Sequence, residues 1–460
     1  MKELKMKKIK NFTLLFFLSL CLISCGGSDN DESKPDVTYI QYYNASPDST
    51  STYLSLTKKK YSKVNFGYAN SRVAVTTGSN KLTIVGTDAK NKEVKFHQKD
   101  IDFEAQSYHL FVLTGKYADS GFLDLKYSQD KLIKENEENK EKKITKMQVI
   151  AAHVSQGVQD FDIYVGKKED GFSSAKYLGK LKYLGVSSPE ILVNGKYVVY
   201  LAKAGGNEPI FTTKEIDLKL QTTYKLMIRP GFGQSKYGVK LDVVSSSKTV
   251  SSYPDINESV QFRVYDGFEH SAQLQVMLKG KDGEEKKQDV TRWQVSAFTP
   301  TKFGDYDVSV SDPVTGEQLL DNLLVTYNQS DSKTILFYPT KEKKLKASVI
   351  EHNLTPRSYE YQAKLVNLAT DKNGLEVYFV RNNETVETAK HFIKKWNFLK
   401  TKSLTLPRDK YTVTLVEKKT DGTLNLLHRQ TLELKDNLDY TLVLTPDASE
   451  QWGYRLTAFQ

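Results

Sequence analysis

The chain has 460 residues, two cysteines and a formal charge of +10. That length suggests three or four domains, and basic residues spread without clustered faces exclude a nucleic-acid footprint. Both cysteines, Cys21 and Cys25, lie near the start, so the rest of the chain holds no disulfide, thiolate metal site or cysteine nucleophile.

Five lysines stand against one acid, Glu3, before an almost wholly apolar stretch at residues 12–23. A charged opening, a short apolar core and a small residue at the cut make a secretory signal, too short for a membrane span. The stretch Leu22-Ile23-Ser24-Cys25 resembles the lipobox of bacterial lipoproteins. The resemblance implies cleavage before Cys25 and a thioether-linked diacylglycerol on its sulfur. Residues 25–36 are acidic, contain no large apolar side chain and are expected to be a flexible tether. Without residues 1–24 the chain keeps 61 basic and 55 acidic residues, a formal charge of +6. So mild a charge gives only weak, unspecific attraction to anionic envelope polymers.

Beyond the tether, polar and apolar residues alternate strictly at Asp305-Tyr306-Asp307-Val308-Ser309-Val310 and at Lys410-Tyr411-Thr412-Val413-Thr414-Leu415. Period two is the mark of a strand with one buried face. Turn signals separate such runs at Asn194-Gly195, Lys281-Asp282-Gly283, Lys372-Asn373-Gly374 and Thr420-Asp421-Gly422. Only residues 384–398 suggest a short helix besides the charged stretch 131–146, which reads as a solvated connector or a short helix. The chain is predicted to be all-β.

The runs recur. A first strand closes on a polar residue at Asn44, His153, Asp266 and Asn367, with gaps of 109, 113 and 101 residues. A middle strand opens at Leu82, Tyr197, Tyr306 and Tyr411, and a late one centres on Tyr108, Tyr224, Thr334 and Tyr440, at nearly the same period. Repeats of about 100 residues have the size of immunoglobulin-like sandwiches. The expected architecture is four tandem immunoglobulin/transthyretin-like β-sandwich domains in a row after a lipoprotein signal peptide. The sandwiches are placed at 37–130, 147–250, 251–345 and 361–460, with connectors at 131–146 and 346–360. A β-propeller is the alternative, and the tail after Pro446 either packs as a last strand or frays. The first two copies match best in sequence.

A strand running into Asn44-Ala45-Ser46-Pro47-Asp48, followed by Gly-x-Tyr-x-Val strands, resembles a bacterial domain-of-unknown-function family of envelope proteins with tandem sandwich-like domains. The later copies keep part of the pattern: Gly195-Lys196-Tyr197, Gly304-Asp305-Tyr306 and Asp409-Lys410-Tyr411. The resemblance implies fold and location and brings no activity.

Candidate chemistry is sparse. No two of the seven histidines have metal-ligand spacing, and none of the known nucleophile, phosphate-loop, dinucleotide or zincin motifs occurs. Glu137-Glu138 and Glu284-Glu285 sit in connector and turn sequence. Asp371 to Glu376 faintly resembles a calcium loop and reads better as a hairpin turn. His153, at its strand exit, reads as a hydrogen-bonded turn residue. Phe392, Trp396 and Phe398 mark the first place to look for an exposed aromatic binding patch, with Trp293 and Trp452 as further stacking candidates. No catalytic residue, metal or cofactor is expected. The expected role is a non-enzymatic binding or adhesion module, lipid-anchored through Cys25 at the outer membrane, on the cell surface or its periplasmic face. Its partners are the membrane and a glycan or an envelope or host protein, with no nucleic acid. A structural spacer is the alternative, and a polysaccharide hydrolase a more distant one.

Overall fold

The computed structural model describes residues 36–270, 272–435 and 437–460. The leader, Cys25 and the body of the tether lie outside the described residues. In the first repeat, β1 (Val37–Asn44), β2 (Tyr53–Leu56), β3 (Lys59–Lys60), β4 (Val73–Thr76), β5 (Gly78–Thr87), β6 (Glu93–Phe103), β7 (Tyr108–Lys116) and β8 (Asp119–Tyr127) follow in order. They form two sheets, β4-β1-β7-β8 and β3-β2-β5-β6. β1 and β7 run parallel, and the other neighbours are antiparallel.

The later repeats rebuild this plan. The equivalents of β1 are Lys146–His153, Val260–Asp266 and Glu360–Asn367, each parallel to the equivalent of β7: Thr223–Pro230, Ser332–Pro339 and Tyr440–Pro446. Eight strands in two sheets, rather than the seven of an immunoglobulin constant domain, make the sandwiches transthyretin-like. The second repeat adds Ile216–Leu218 and Val250–Tyr253 to its sheets. Separate sheets with their own cores leave no place for propeller blades.

Segments that lack period two are partly ordered. A helix, α1 (Asp130–Glu138), opens the charged stretch after the first repeat. Asn136 pins it, accepting from the Lys146 amide at 2.8 Å and donating to the Lys146 carbonyl at 3.1 Å. Leu345–Glu351 lies largely where a connector was expected, yet pairs along its length with Ser332–Pro339. The tail packs as the strand Tyr454–Phe459.

The expected helix over residues 384–398 is instead a turn region followed by the strand His391–Trp396. Ile393 and Trp396 are both buried and three residues apart, which imitates helical spacing. A β-bulge produces it: Val377 faces Ile393, Leu375 faces Trp396, and Lys395 has a φ of 54°.

Two kinds of sheet result. In β1, in β7 and in Val260–Asp266 nearly every residue is buried, because these sheets are covered on both faces. Ile40, Tyr42, Phe111 and Leu113 face their own sandwich core. Tyr43, Leu110 and Val112, in the opposite phase, pack on Ile150, Ala152, Met227 and Val244 of the second repeat. Tyr265, Leu336, Tyr338 and Ile350 of the third repeat pack likewise on Val366, Leu368, Val443 and Phe459 of the fourth. The four tandem sandwiches therefore associate as two pairs with shared apolar layers. The other sheets turn one face to solvent and carry the alternating runs, as in Gln273–Gly280 and Gly304–Ser311.

The polar strand exits share one device. Asn44, His153, Asp266 and Asn367 are completely buried. Each accepts a hydrogen bond from the amide two residues on, at 2.9, 3.2, 2.9 and 2.9 Å. A side chain that closes its own turn lets the strand end inside the protein without orphaned amides. The tyrosines of the middle strand also share a role. The hydroxyls of Tyr197, Tyr306 and Tyr411 donate to the carbonyls of Val193, Lys302 and Pro407, each four residues upstream.

Candidate functional site

The aromatic residues expected to form one patch are separated. Trp396 is fully buried in the fourth core, its Nε1 donating to the Lys400 carbonyl at 2.9 Å. Phe398 stands edge-on to Tyr338 of the third repeat, 5.8 Å between ring centroids. Phe392 alone of the three is well exposed. The patch is corrected to a single surface ring, because the bulge that buries Trp396 turns it away from Phe392. Trp452 is partly exposed at the tail turn, and Trp293 lies beside Arg292 and Arg455. The carboxylate of Asp371 takes the Tyr454 hydroxyl, and Glu376 takes that of Tyr378, so the faint calcium loop is used in side-chain bonds. Among the described residues there is no group of three His, Asp or Glu side chains placed to hold a metal ion.

A larger aromatic surface lies on the outer face of the second repeat. The strands Lys176–Leu181, Phe161–Gly166 and Gly195–Lys203 are neighbours there. Phe161, Ile163, Val165, Tyr197, Val199 and Leu201 point into the core, so the residues between them point out. The pairing Tyr177↔Tyr164↔Tyr200 then lays three tyrosines in a row across the strands. Tyr164 and Tyr177 lie 5.1 Å apart, and Phe172 meets Tyr164 and Tyr200 edge-on at 4.9 and 5.4 Å. Tyr177 is 51 % exposed. Burial raises the pKa of its phenol, as does the carboxylate of Asp162 beneath it. Asp162 is itself held by the Gly205 amide at 2.6 Å. A pre-formed, rigid aromatic row of this kind offers contact area at little entropic cost.

Tyr200 joins this row to a cleft of about 640 Å³ with Val198, Thr212 and Ile256 in its lining. Lys168, Lys196 and Lys214 stand around it with Glu215 and Asp217. Lys219 pairs with Asp217 at 2.6 Å, which leaves the rim positive. The row was not visible in the sequence as a site. Tyr164, Tyr177 and Tyr200 are out of phase with the core residues of their strands, but only the register shows that the three meet.

A second concavity, of about 660 Å³, lies where all four repeats meet. Arg229, Lys240 and Lys364 line it together with Asp331 and Glu351. His352 in its wall is pushed down to about 3 by burial and by Arg263 and Lys364. Its charges are of both signs, and Arg229 is already committed to Asp242 at 2.7 Å.

No family model matches the chain, and no curated protein matches it. The resemblance to the domain-of-unknown-function family accordingly has no matching model behind it. Solved structures with some likeness include the Bacillus anthracis TIE protein, at 10 % identity over 90 % of this chain and 75 % of that one, with a TM-score of 0.17. The major pilin subunit of Bacillus cereus is 11 % identical over 65 % of this chain and 97 % of that one, with a TM-score of 0.14. A candidate cell adhesion protein from Bacteroides fragilis is 9 % identical over 44 % of this chain and 97 % of that one, also at 0.14. At such TM-scores the likeness carries no functional argument. Among the described residues no helix is long and apolar enough to cross a membrane.

Proposed function

We propose that the chain is a lipid-anchored envelope protein, held at the outer membrane through Cys25, and that it acts as a non-enzymatic binding or adhesion module. The observation that carries this reading is the aromatic row Tyr177-Tyr164-Tyr200 beside an apolar-floored cleft. Tyr177 is the exposed end of the row, Tyr164 and Phe172 are half-buried and Tyr200 is its buried end, and accessible aromatic surface next to a concavity marks interaction sites on otherwise polar proteins.

Protease treatment of intact cells tests the placement, and cleavage of this protein while a periplasmic control survives is the expected result. Cys25→Ser is expected to abolish acyl labelling and release the protein, and unchanged membrane retention would refute the anchor. Glycan and protein arrays probed with wild type and with Phe172→Ala/Tyr177→Ala test the face. Binding that persists undiminished in the double variant would refute this face as the site, and no binding by wild type would move the weight to the second reading, a spacer, which the shared apolar layers between repeats favour.

A further inference from the structure

We infer that the cleft of the second repeat takes an acidic saccharide, a chain of uronate-bearing sugars. The inference rests on the reading of this repeat as the binding module and names its ligand class. Three features of the site converge on it.

The first is the floor. Tyr200 and Val198 are out of phase with the core and line the cleft while themselves largely buried, and Tyr200 continues into half-buried Tyr164 and Phe172 and exposed Tyr177, which supply the accessible aromatic surface. A pyranose ring has a flat face of C–H groups and an edge of hydroxyls. The face suits an aromatic row, and Thr212 beside it offers a hydroxyl for the edge.

The second is the rim. Lys168, Lys196 and Lys214 are exposed around the cleft, against Glu215 and an Asp217 already neutralised by Lys219. A neutral sugar would leave these ammonium groups without a counter-charge, whereas a carboxylate on every ring meets them along the cleft.

The third is the backbone. An acidic peptide would bind best by adding a strand to an open edge. The strand Gly195–Lys203 beneath the cleft pairs over residues 198–203 with Phe161–Gly166 on one side, and over residues 195–197 and 200–202 with Ile216–Leu218 and Pro209–Thr212 on the other. On the outer edge of Pro209–Thr212 the Thr212 carbonyl is taken by the Ile256 amide, so little backbone is left for an added strand at the cleft and recognition there goes mainly through side chains, which favours a sugar over a peptide.

The fourth repeat provides an internal comparison. Glu376 and Tyr378 occupy the places of Asp162 and Tyr164, and Phe392 that of Tyr177. There the third place in the row is Thr414, and Val386 and Ala389 pack over Tyr378. The row there is one aromatic ring shorter, so binding is assigned to the second repeat.

The test is calorimetric titration of the full-length chain in detergent with oligogalacturonate, with maltohexaose and with poly-glutamate. Oligogalacturonate is expected to bind, and raising the salt is expected to weaken it. Lys168→Ala/Lys196→Ala/Lys214→Ala is expected to weaken it at least tenfold, and Phe172→Ala/Tyr177→Ala severalfold. Phe392→Ala is expected to change nothing. All the lysines are exposed, and an unchanged unfolding midpoint checks each variant, with the three single Lys→Gln changes as substitutes should the triple variant misfold. Oligogalacturonate binding that ignores the lysines, maltohexaose binding equally well, or poly-glutamate binding equally well would each overturn the inference. Array binding lost in Phe172→Ala/Tyr177→Ala but kept in the lysine variant would overturn it while leaving the binding face standing. Binding indifferent to both variants would remove both.

Discussion

Asp266 shows how one atom can decide the acidity of a buried group. Like Asn44 and Asn367 it closes its strand exit with one side-chain oxygen, but its second oxygen is buried without a hydrogen-bond partner. The amides of Asn44 and Asn367 use their second atom to donate, to Ser49 and to the Lys372 carbonyl. Burial pushes Asp266 up to about 7, against a relief by the Phe268 amide and Arg292. The folded state then holds a proton that the unfolded state releases, so this group's contribution is full below about pH 4 and is lost as pH rises to about 7. Asp266→Asn is expected to raise stability at pH 8 by about 1–3 kcal/mol, read from denaturant midpoints. His352 acts with the opposite sign across the same range, because its folded pKa is depressed. The Asp266 effect is therefore the difference between wild type and variant, not the wild-type slope. Lys225 is a base in similar difficulty. It is fully buried between the first two repeats, donating to Gln41 at 3.2 Å and the Ser245 carbonyl at 3.0 Å, and burial and Arg72 lower it to about 7. Stability should recover as pH rises from about 7 toward about 10.5, where the unfolded lysine also loses its proton. Lys225→Met should abolish that rise relative to wild type in the same denaturant series.

At the scale of elements, the tyrosine at the start of the middle strand in the second, third and fourth repeats ties it to the preceding turn. Tyr197→Phe, Tyr306→Phe or Tyr411→Phe keeps the buried ring and deletes the bond to a carbonyl four residues back. Each is expected to cost about 1 kcal/mol, as a lowered midpoint at unchanged denaturant slope. Trp396→Ala removes the largest fully buried side chain and should cost about 3–5 kcal/mol. Deleting Lys395 would be worse than that residue's exposure suggests, because without the bulge Trp396 would change faces. The middle-strand tyrosine, present in three copies, and the polar exits, present in all four, were legible because each recurs at one place in the repeat and each has a local chemical reason. The bulge was not, since an inserted residue erases the period by which a strand is recognised.

At the scale of the whole molecule, the shared apolar layers should make the repeats of a pair unfold together. Met227 is fully buried in the layer between the first and second repeats. Met227→Asp places an unpaired charge there and is expected to cost several kcal/mol. Hydrogen exchange should then speed up in β1 and β7 of the first repeat as well as in Thr223–Pro230. Exchange confined to the second repeat would show that the layer does not couple them. Gly267, where an added Cβ would lie 2.6 Å from Thr445 of the fourth repeat, gives the corresponding probe for the other pair.

By itself the sequence determined the strand class, the four-fold recurrence and the turn positions, because alternation, tyrosine placement and polar exits are local chemistry repeated along the chain. It also placed each repeat's first, middle and late strands, whose markers fall in the sheets as expected. Only the tertiary structure decided which sheets are covered on both faces. A strand buried on two sides reads as a continuous apolar run, as in Ile-Leu-Phe at 335–337 or Ile-Ala-Ala at 150–152, and such a run carries no phase to say which side chains face the sandwich core and which face another repeat. The aromatic row was decided at the same level. Tyr164, Tyr177 and Tyr200 stand up to 36 residues apart in sequence, and strand register, set by the pairing of whole sheets, is what brings them side by side.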